Sequence, residues 1–393
     1  MILVIVMGAI LVLLGYFLGL SFFDNAVFGL VIALIIWVVM SLLAYYQGDS
    51  LLLTISGARK INRDDHPRLY NIVEEMKIAS GMEKMPDIYI IDDPALNAFA
   101  TGRDKNHASV AITSGLLQKL NRDELQGVIG HEMAHIKNRD VLLMAMTSVL
   151  LGTIVILAWY GSRFLIFGGM GGSRGRHSSG GGGQAQIIII VVALVFMILA
   201  PILAQIIYLA ISRKREYLAD ASSALYTRYP EGLASALEKL GASTGQLKSA
   251  NQATAPMYIV NPFRKKGLKF SDLSSTHPPI SERIRILRGM AGAAYNNYDE
   301  SYRQVHRGGR GIIPELSLVG TPVPLAETPP SLKVEEPSEI QRARETSSAL
   351  RRVNNFTSIT CECGAVLRIP PGFKGDNVTC PRCHRRHTVS RGF

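Results

Sequence analysis

The sequence predicts an α+β chain, mainly α: four transmembrane helices, two polar segments that fold together outside the bilayer, and a small C-terminal metal ribbon. Three observations predict it. Four uncharged, largely apolar runs interrupt the 393 residues. A His-Glu-x-x-His motif stands between the second run and the third. All four cysteines fall near the end, at 361, 363, 380 and 383. Composition agrees, with 48% hydrophobic and 19% charged residues, against about 25% charged in ordinary soluble chains. A mainly disordered chain is excluded, and a plain soluble enzyme fits poorly.

Residues 1–47 read as a two-helix membrane anchor. Met1 to Phe23 is uncharged, Asp24 interrupts, and Asn25 to Gly48 is uncharged again. Each run supplies the ~20 apolar residues that a helix needs to cross about 30 Å of hydrocarbon. The first lacks a basic start and a small-residue cleavage site, so it reads as a retained anchor. Val141–Ser162 and Gln184–Ser212 form a second pair of spans within residues 141–212. Their connector, Gly172–Gly183, is glycine-rich but lacks the G-x-x-x-x-G-K-[ST] order of a phosphate loop and reads as a flexible joint. Arg59, Lys60, Arg63, Arg122, Lys137, Arg139 and the cluster Arg213, Lys214, Arg215 flank the spans on one side. They place the polar segments and the C-terminus in the cytoplasm. Arg163, Arg174 and Arg176 on the other side argue against that orientation.

Residues 48–140 and 213–292 are the two halves of one polar domain. The first half ends in His131-Glu132-Met133-Ala134-His135. Asn121 with Glu124 three residues on makes a capping box, and Leu125, Val128, Ile129, Met133 and Ile136 recur at helical spacing. Four residues apart on a helix, His131 and His135 share a face and can reach one Zn²⁺. Glu132 lies beside that face, where it can take a proton from an activated water.

The second half opens with Arg215-Glu216-Tyr217-Leu218-Ala219-Asp220. Glu216 and Asp220 are an i, i+4 pair. One carboxylate can bind the metal while the other fixes a ligating histidine. Two crossings separate His135 from Glu216, which returns both to the same side of the bilayer.

With these motifs in order, the chain resembles the HtpX-type membrane zinc metalloproteases over about residues 1–290. The matching stretches are Asn97-Ala98-Phe99-Ala100-Thr101-Gly102, His131–His135, Arg215–Asp220, and Ser275-Thr276-His277-Pro278-Pro279. The resemblance implies a zincin-like endopeptidase facing the cytoplasm of the cell (inner) membrane and acting in membrane-protein quality control. It implies His131, His135 and Glu216 as zinc ligands and Glu132 as catalytic acid/base. Asp220 is then the partner of a ligating histidine.

Beside that match, Ser109–Thr113 is rich in β-branched residues, in the manner of a strand. Asn97, Ala98 and Phe99 are expected on a neighbouring strand whose edge binds extended substrate by strand addition. His277 is expected to stabilise the oxyanion; Arg283 could do the same or pair with Glu282. His66, His107 and His306 have no partners at useful spacing and read as structural or solvated.

Residues 293–355 read as a linker, with a short polar helix from Ser338 to Arg352. Residues 356–393 then form a ribbon-like module. Cys361-x-Cys363 and Cys380-x-x-Cys383 on facing turns give a closed tetrahedral site for a second, structural Zn²⁺; His384 or His387 could replace one cysteine. Lipid bilayer and unfolded or membrane protein substrates are the expected partners, and the partner of the ribbon is unassigned. The net charge is +11. Residues 261–393 hold 21 basic and 12 acidic side chains, so most of that excess belongs to the tail region. This gives little reason to expect nucleic acid as a partner. Two other readings are a prenyl-protein peptidase, which encloses its chamber with more spans, and an inactive membrane-tethered ribbon adaptor, which would not need the full ligand and base set.

Overall fold

The computed structural model describes residues 25–144, 213–243, 278–318 and 335–389. It describes more sparsely residues between 5 and 20, and 146, 198, 202, 245, 247, 258–260, 323–326 and 329. The architecture is mainly helical α+β.

Ala26–Ile55 is a single 30-residue helix, capped by the Asn25 side chain. Its length, and a mean hydropathy of 2.9 over an 18-residue stretch of it, make it the one candidate membrane helix among the described residues. The described residues of the first uncharged run are helical and lie against it. Gly15 and Gly29 leave no room for a Cβ where the two helices meet; one added at Gly15 would run into Ala33. The two later runs lie almost wholly outside the described residues.

The helix does not stop at the apolar boundary. Leu52 and Leu53 continue past Asp49 into the polar domain and bury against one face of its sheet. That sheet comprises β1 (Ala58–Lys60), β2 (Asp87–Ile91), β3 (Ala98–Asp104) and β4 (His107–Thr113), in the order β1-β2-β4-β3. β2 and β4 run parallel and the other pairs antiparallel. Side chains alternate between faces, as a two-residue period requires. Ile88, Ile90, Ala98, Ala100, Val110 and Ile112 enter the main core. Ile91, Phe99 and Ala111 face Leu52 and Leu53.

On the main-core face lies the motif helix, Arg122–Lys137. Asn121 and Glu124 close the expected capping box, with reciprocal hydrogen bonds of 2.9 Å. Leu125, Val128, Ile129, Met133 and Ile136 are fully buried, each contributing on the order of 1.5–3 kcal/mol. The Pro230–Ala242 helix crosses it closely: a Cβ on Gly127 would approach Leu233 N to 2.6 Å. Lys239 Nζ and Ser235 Oγ both bind Glu124, at 2.7 and 2.6 Å. His66 caps the Pro67–Ser80 helix, its Nδ1 accepting from Leu69 N at 3.2 Å. It is structural, as expected.

The stretch expected as a linker is largely folded onto this core. Tyr298, on the Tyr295–Val305 helix, is fully buried. Asp299 Oδ1 accepts from the amides of Ile312 and Ile313 at 2.7 and 3.1 Å. Residues 323–326 hydrogen-bond to Arg228 and Ala293. The Glu339–Val353 helix buries Thr346, Ala349 and Leu350. Its Arg342 donates to Gln118 O and Pro337 O at 3.0 and 2.7 Å, and Glu336 accepts from Arg122 N at the start of the motif helix at 3.1 Å. The contact is an amphipathic seam, where arginine stems and carboxylates replace apolar side chains.

Beyond it, two hairpins, Thr357–Thr360 with Val366–Ile369 and Asn377–Thr379 with Arg386–Thr388, make the C-terminal module.

Candidate metal centre

His131, Glu132 and His135 project from the motif helix, Glu216 and Asp220 from the helix over 213–227, and all five are buried. His131 Nε2 and His135 Nε2 lie 3.2 Å apart. The Glu216 carboxylate closes the triangle, with Oε1 3.4 Å from His135 Nε2 and Oε2 3.5 Å from His131 Nε2. Ligand atoms arranged tetrahedrally about Zn²⁺ at 2.0–2.1 Å would lie roughly 3.3 Å apart. The spacing and the chemistry of this donor set fit that ion.

The other ring nitrogens fix the orientation. His131 Nδ1 is 3.0 Å from Asp220 Oδ1, and His135 Nδ1 is 3.2 Å from Asp140 Oδ2. Each carboxylate accepts a hydrogen bond from Nδ1–H and so turns the Nε2 lone pair toward the shared point. Burial opposes charge on His135, but Asp140 and Glu216 outweigh it and push its pKa up to about 10.

Arg283 was expected to serve the oxyanion or to pair with Glu282. The pairing with Glu282 is not made: fully buried, Arg283 grips Asp220 with two bonds, at 2.6 and 2.8 Å, and lies 3.5 Å from Glu216 Oε2. Helix geometry is the reason, since adjacent residues point about 100° apart. Glu282 instead turns outward to Tyr217 and to His306 Nε2, the latter at 3.1 Å, so His306 does have a partner. Burial penalises the Asp220 charge, yet Arg283 and His131 hold its carboxyl below the usual range. Tyr298 adds a hydroxyl 3.4 Å from Asp220 Oδ2.

Glu132 sits beside the triad. Burial raises its pKa above the usual carboxylate value, and the Ala100 backbone faces its carboxylate. Its Oε2 has no hydrogen-bond partner among the described residues, as suits a group reserved for water or substrate.

Asn97 directly precedes the edge strand β3, and Ala98 and Phe99 open it; all three are buried, so the edge is already engaged there. Ile259 N donates to Ala98 O at 3.0 Å, Asn97 Nδ2 donates to Val260 O at 2.9 Å, and Phe99 packs edge-on against Tyr258. His277 lies outside the described residues. Asp140, five residues beyond the motif, is the residue that sequence reasoning missed.

The four cysteines also converge. Cys361 and Cys383 sulfurs are 3.4 Å apart, Cys363 and Cys380 3.6 Å, and none is disulfide-bonded. Tetrahedral Zn–S bonds of 2.3 Å put sulfurs about 3.8 Å apart. The backbone amides of Cys383 and Arg382 pull the Cys380 thiol down to about 6, toward the thiolate a metal requires.

Comparison with known proteins agrees with this geometry. Residues 63–291 match the model of peptidase family M48. A protease HtpX homolog of Dictyoglomus turgidum is 45% identical over 270 residues, covering 69% of this chain and 84% of its own. Another, from Caldanaerobacter subterraneus, is 44% identical over 287 residues, covering 73% and 93%. The crystal structure of S. mikatae Ste24p aligns with a TM-score of 0.40 at 18% identity, over 71% of this chain and 62% of that one. A likeness that remote adds nothing to the assignment. The family segment spans more than half the chain and contains the whole His–Glu triad; the protein belongs to peptidase family M48, as a membrane zinc metalloprotease of the HtpX type.

Proposed function

We propose that the protein is a zinc endopeptidase that cuts misfolded or damaged membrane proteins at the cytoplasmic face of the inner membrane. One observation carries the reading: two Nε2 atoms and a carboxylate converge on a point, each imidazole held from behind by its own aspartate. His131, His135 and Glu216 are then the zinc ligands, with Asp220 and Asp140 as their supports. Zinc held there supplies a Lewis acid that activates water near neutral pH and polarises the scissile carbonyl.

Glu132 takes the proton of the attacking water and returns it to the departing amine. Its burial supports both roles, because a raised pKa brings uptake and release of the proton closer together in energy. His277 is assigned to the oxyanion. Extended substrate pairs along β3 beyond Ala98, whose carbonyl is already taken.

Four spans, two before and two between the protease halves, return both halves to one side. The basic flanks support a cytoplasmic location. The cysteine module holds a second, structural zinc, a reading supported by the sulfur spacing. The complete set of ligands and base favours a working endopeptidase over an inactive adaptor. The count of four spans favours it over a prenyl-protein peptidase.

The test is Glu132→Gln, assayed by metal analysis and by cleavage of an unfolded protein. Zinc should stay, and cleavage should fall by about 10²–10⁴-fold. Wild-type cleavage by this variant would sink the mechanism.

A further inference from the structure

The ends of the segment between the two protease halves meet at the metal centre. Asp140 immediately precedes the uncharged run from Val141, and Arg215 stands three residues after the run ending at Ser212. In the fold they touch. Asp140 Oδ1 is 3.2 Å from Arg215 Nη1, and Asp140 Oδ2 is 3.2 Å from His135 Nδ1. One carboxylate thus spans the returning chain and a histidine of the triad.

This contact depends on a break in the motif helix. Residues five apart on a continuous helix lie about 140° apart around its axis, so Asp140 would point away from His135. The helix instead ends at Lys137, and Arg139 adopts a left-handed conformation with φ of 61°. L residues adopt it infrequently. The turn folds Asp140 back onto the ring five residues earlier, and burial of the Asp140 side chain shields the contact from water.

The three basic residues 213–215 are not equivalent. Lys214 is exposed and presents only charge beside the membrane. Arg215 presents the same charge and also reaches Asp140. Basic residues at span ends serve topology irrespective of side-chain contacts; a guanidinium placed on a carboxylate that orients a histidine has a second task.

We propose that Asp140 and Arg215 form a clasp that holds together the two ends of the segment between the protease halves and sets the orientation of His135. Both are positioning residues: Asp140 acts through His135, and Arg215 acts through Asp140. Zinc affinity at the protease centre therefore depends on the two ends of that segment being held together. The proposal rests on His135 as a zinc ligand.

The test measures zinc affinity by chelator competition on the full-length protein in detergent, below its unfolding temperature. A Cys380→Ala background leaves one site to be counted. Asp140→Asn should weaken zinc binding about 10–100-fold, the usual cost of losing a carboxylate behind a ligating histidine. Arg215→Gln should weaken it by a smaller factor, about 5-fold, and the double variant should be no weaker than Asp140→Asn alone, because both act on one path. Lys214→Gln, which removes the same charge, should bind as the parent does. Parental affinity in both Asp140→Asn and Arg215→Gln, with the ion lost in His135→Ala, would overturn the clasp and leave the zinc reading standing. Equal losses in Lys214→Gln and Arg215→Gln, or additive losses in the double variant, would also overturn it. Retention of the ion by His135→Ala would instead sink the zinc reading itself.

Discussion

The two clusters able to hold metal are built in opposite ways. The protease centre gathers His131 and His135 from one helix and Glu216 from another, some eighty residues further along the chain. Its ligands are buried and held from behind by Asp140, Asp220 and Arg283. The cysteine module gathers four thiols from residues 361–383, on two hairpin turns, and Cys383 remains exposed. Three ligands leave a coordination position for chemistry, whereas four close the site. A reactive centre needs its frame fixed by the whole domain; a folding centre needs only its own short stretch of chain.

The contrast also reinterprets the basic tail. Four thiolates about a divalent ion carry a net charge near −2. Arg385, paired with Glu362, lies near enough to Cys361 and Cys383 to feel their charge, and Arg382 donates to Cys363 O at 3.2 Å. With zinc held there as proposed, part of the positive charge would balance the ribbon internally.

The sharpest way to break the comparison is to remove one cluster at a time. Cys380→Ala should release one zinc and unfold the hairpins, because a structural zinc contributes on the order of 10 kcal/mol in such small units. Cleavage should stay within about twofold, as distant sites act independently. His135→Ala should release the other zinc and abolish cleavage. Metal stoichiometry and proteolysis on both variants decide the matter. Loss of cleavage in Cys380→Ala, with its core still folded, would join what the comparison separates.

Three smaller effects map the seam between core and tail. His66 is buried near Arg68 and Arg352; burial, then these charges, lower its pKa to about 4 from an ordinary 6.5. Above pH 6.5 it is neutral folded or unfolded. Below that the unfolded chain takes up the proton first, so stability falls from pH 6.5 to 4 and then levels, by about 3 kcal/mol in all. Melting curves across that range should lose this component in His66→Asn, which can still cap the helix. Glu336→Ala should cost about 2 kcal/mol, since Arg68 and Arg342 are nearly buried beside it. The melting temperature should drop while the ribbon keeps its zinc. Asn121→Ala, removing the cap of the motif helix, should cost about 1 kcal/mol by the same measurement.

Much of the protease centre was legible because helical spacing is short-range information. The i, i+4 pairs His131/His135 and Glu216/Asp220 announce shared faces, and the capping box marks where the motif helix begins. Asp140 was not legible, because its role requires a left-handed residue at Arg139, and arginine does not signal one. Arg283 pairs with Asp220 and not with its neighbour Glu282, a choice that sequence proximity hides because helix rotation separates the two. The Glu339–Val353 helix was foreseen as an element but not as packed. Its contact face is built around Arg342, Thr346, Ala349 and Leu350, with too little apolar periodicity to announce burial.

The helix Ala26–Ile55 carries a mechanical consequence. It passes without a break from its apolar stretch to Leu52 and Leu53, which are embedded against the sheet. The protease domain is therefore mounted on the bilayer as on a rigid post. Its height is set by the few residues after Gly48, roughly 10 Å of helix at 1.5 Å per residue. One residue inserted there would raise the domain by that small step and swing it by about 100° around the post. Chain length at this junction thus sets both how far from the membrane the enzyme works and which way it faces.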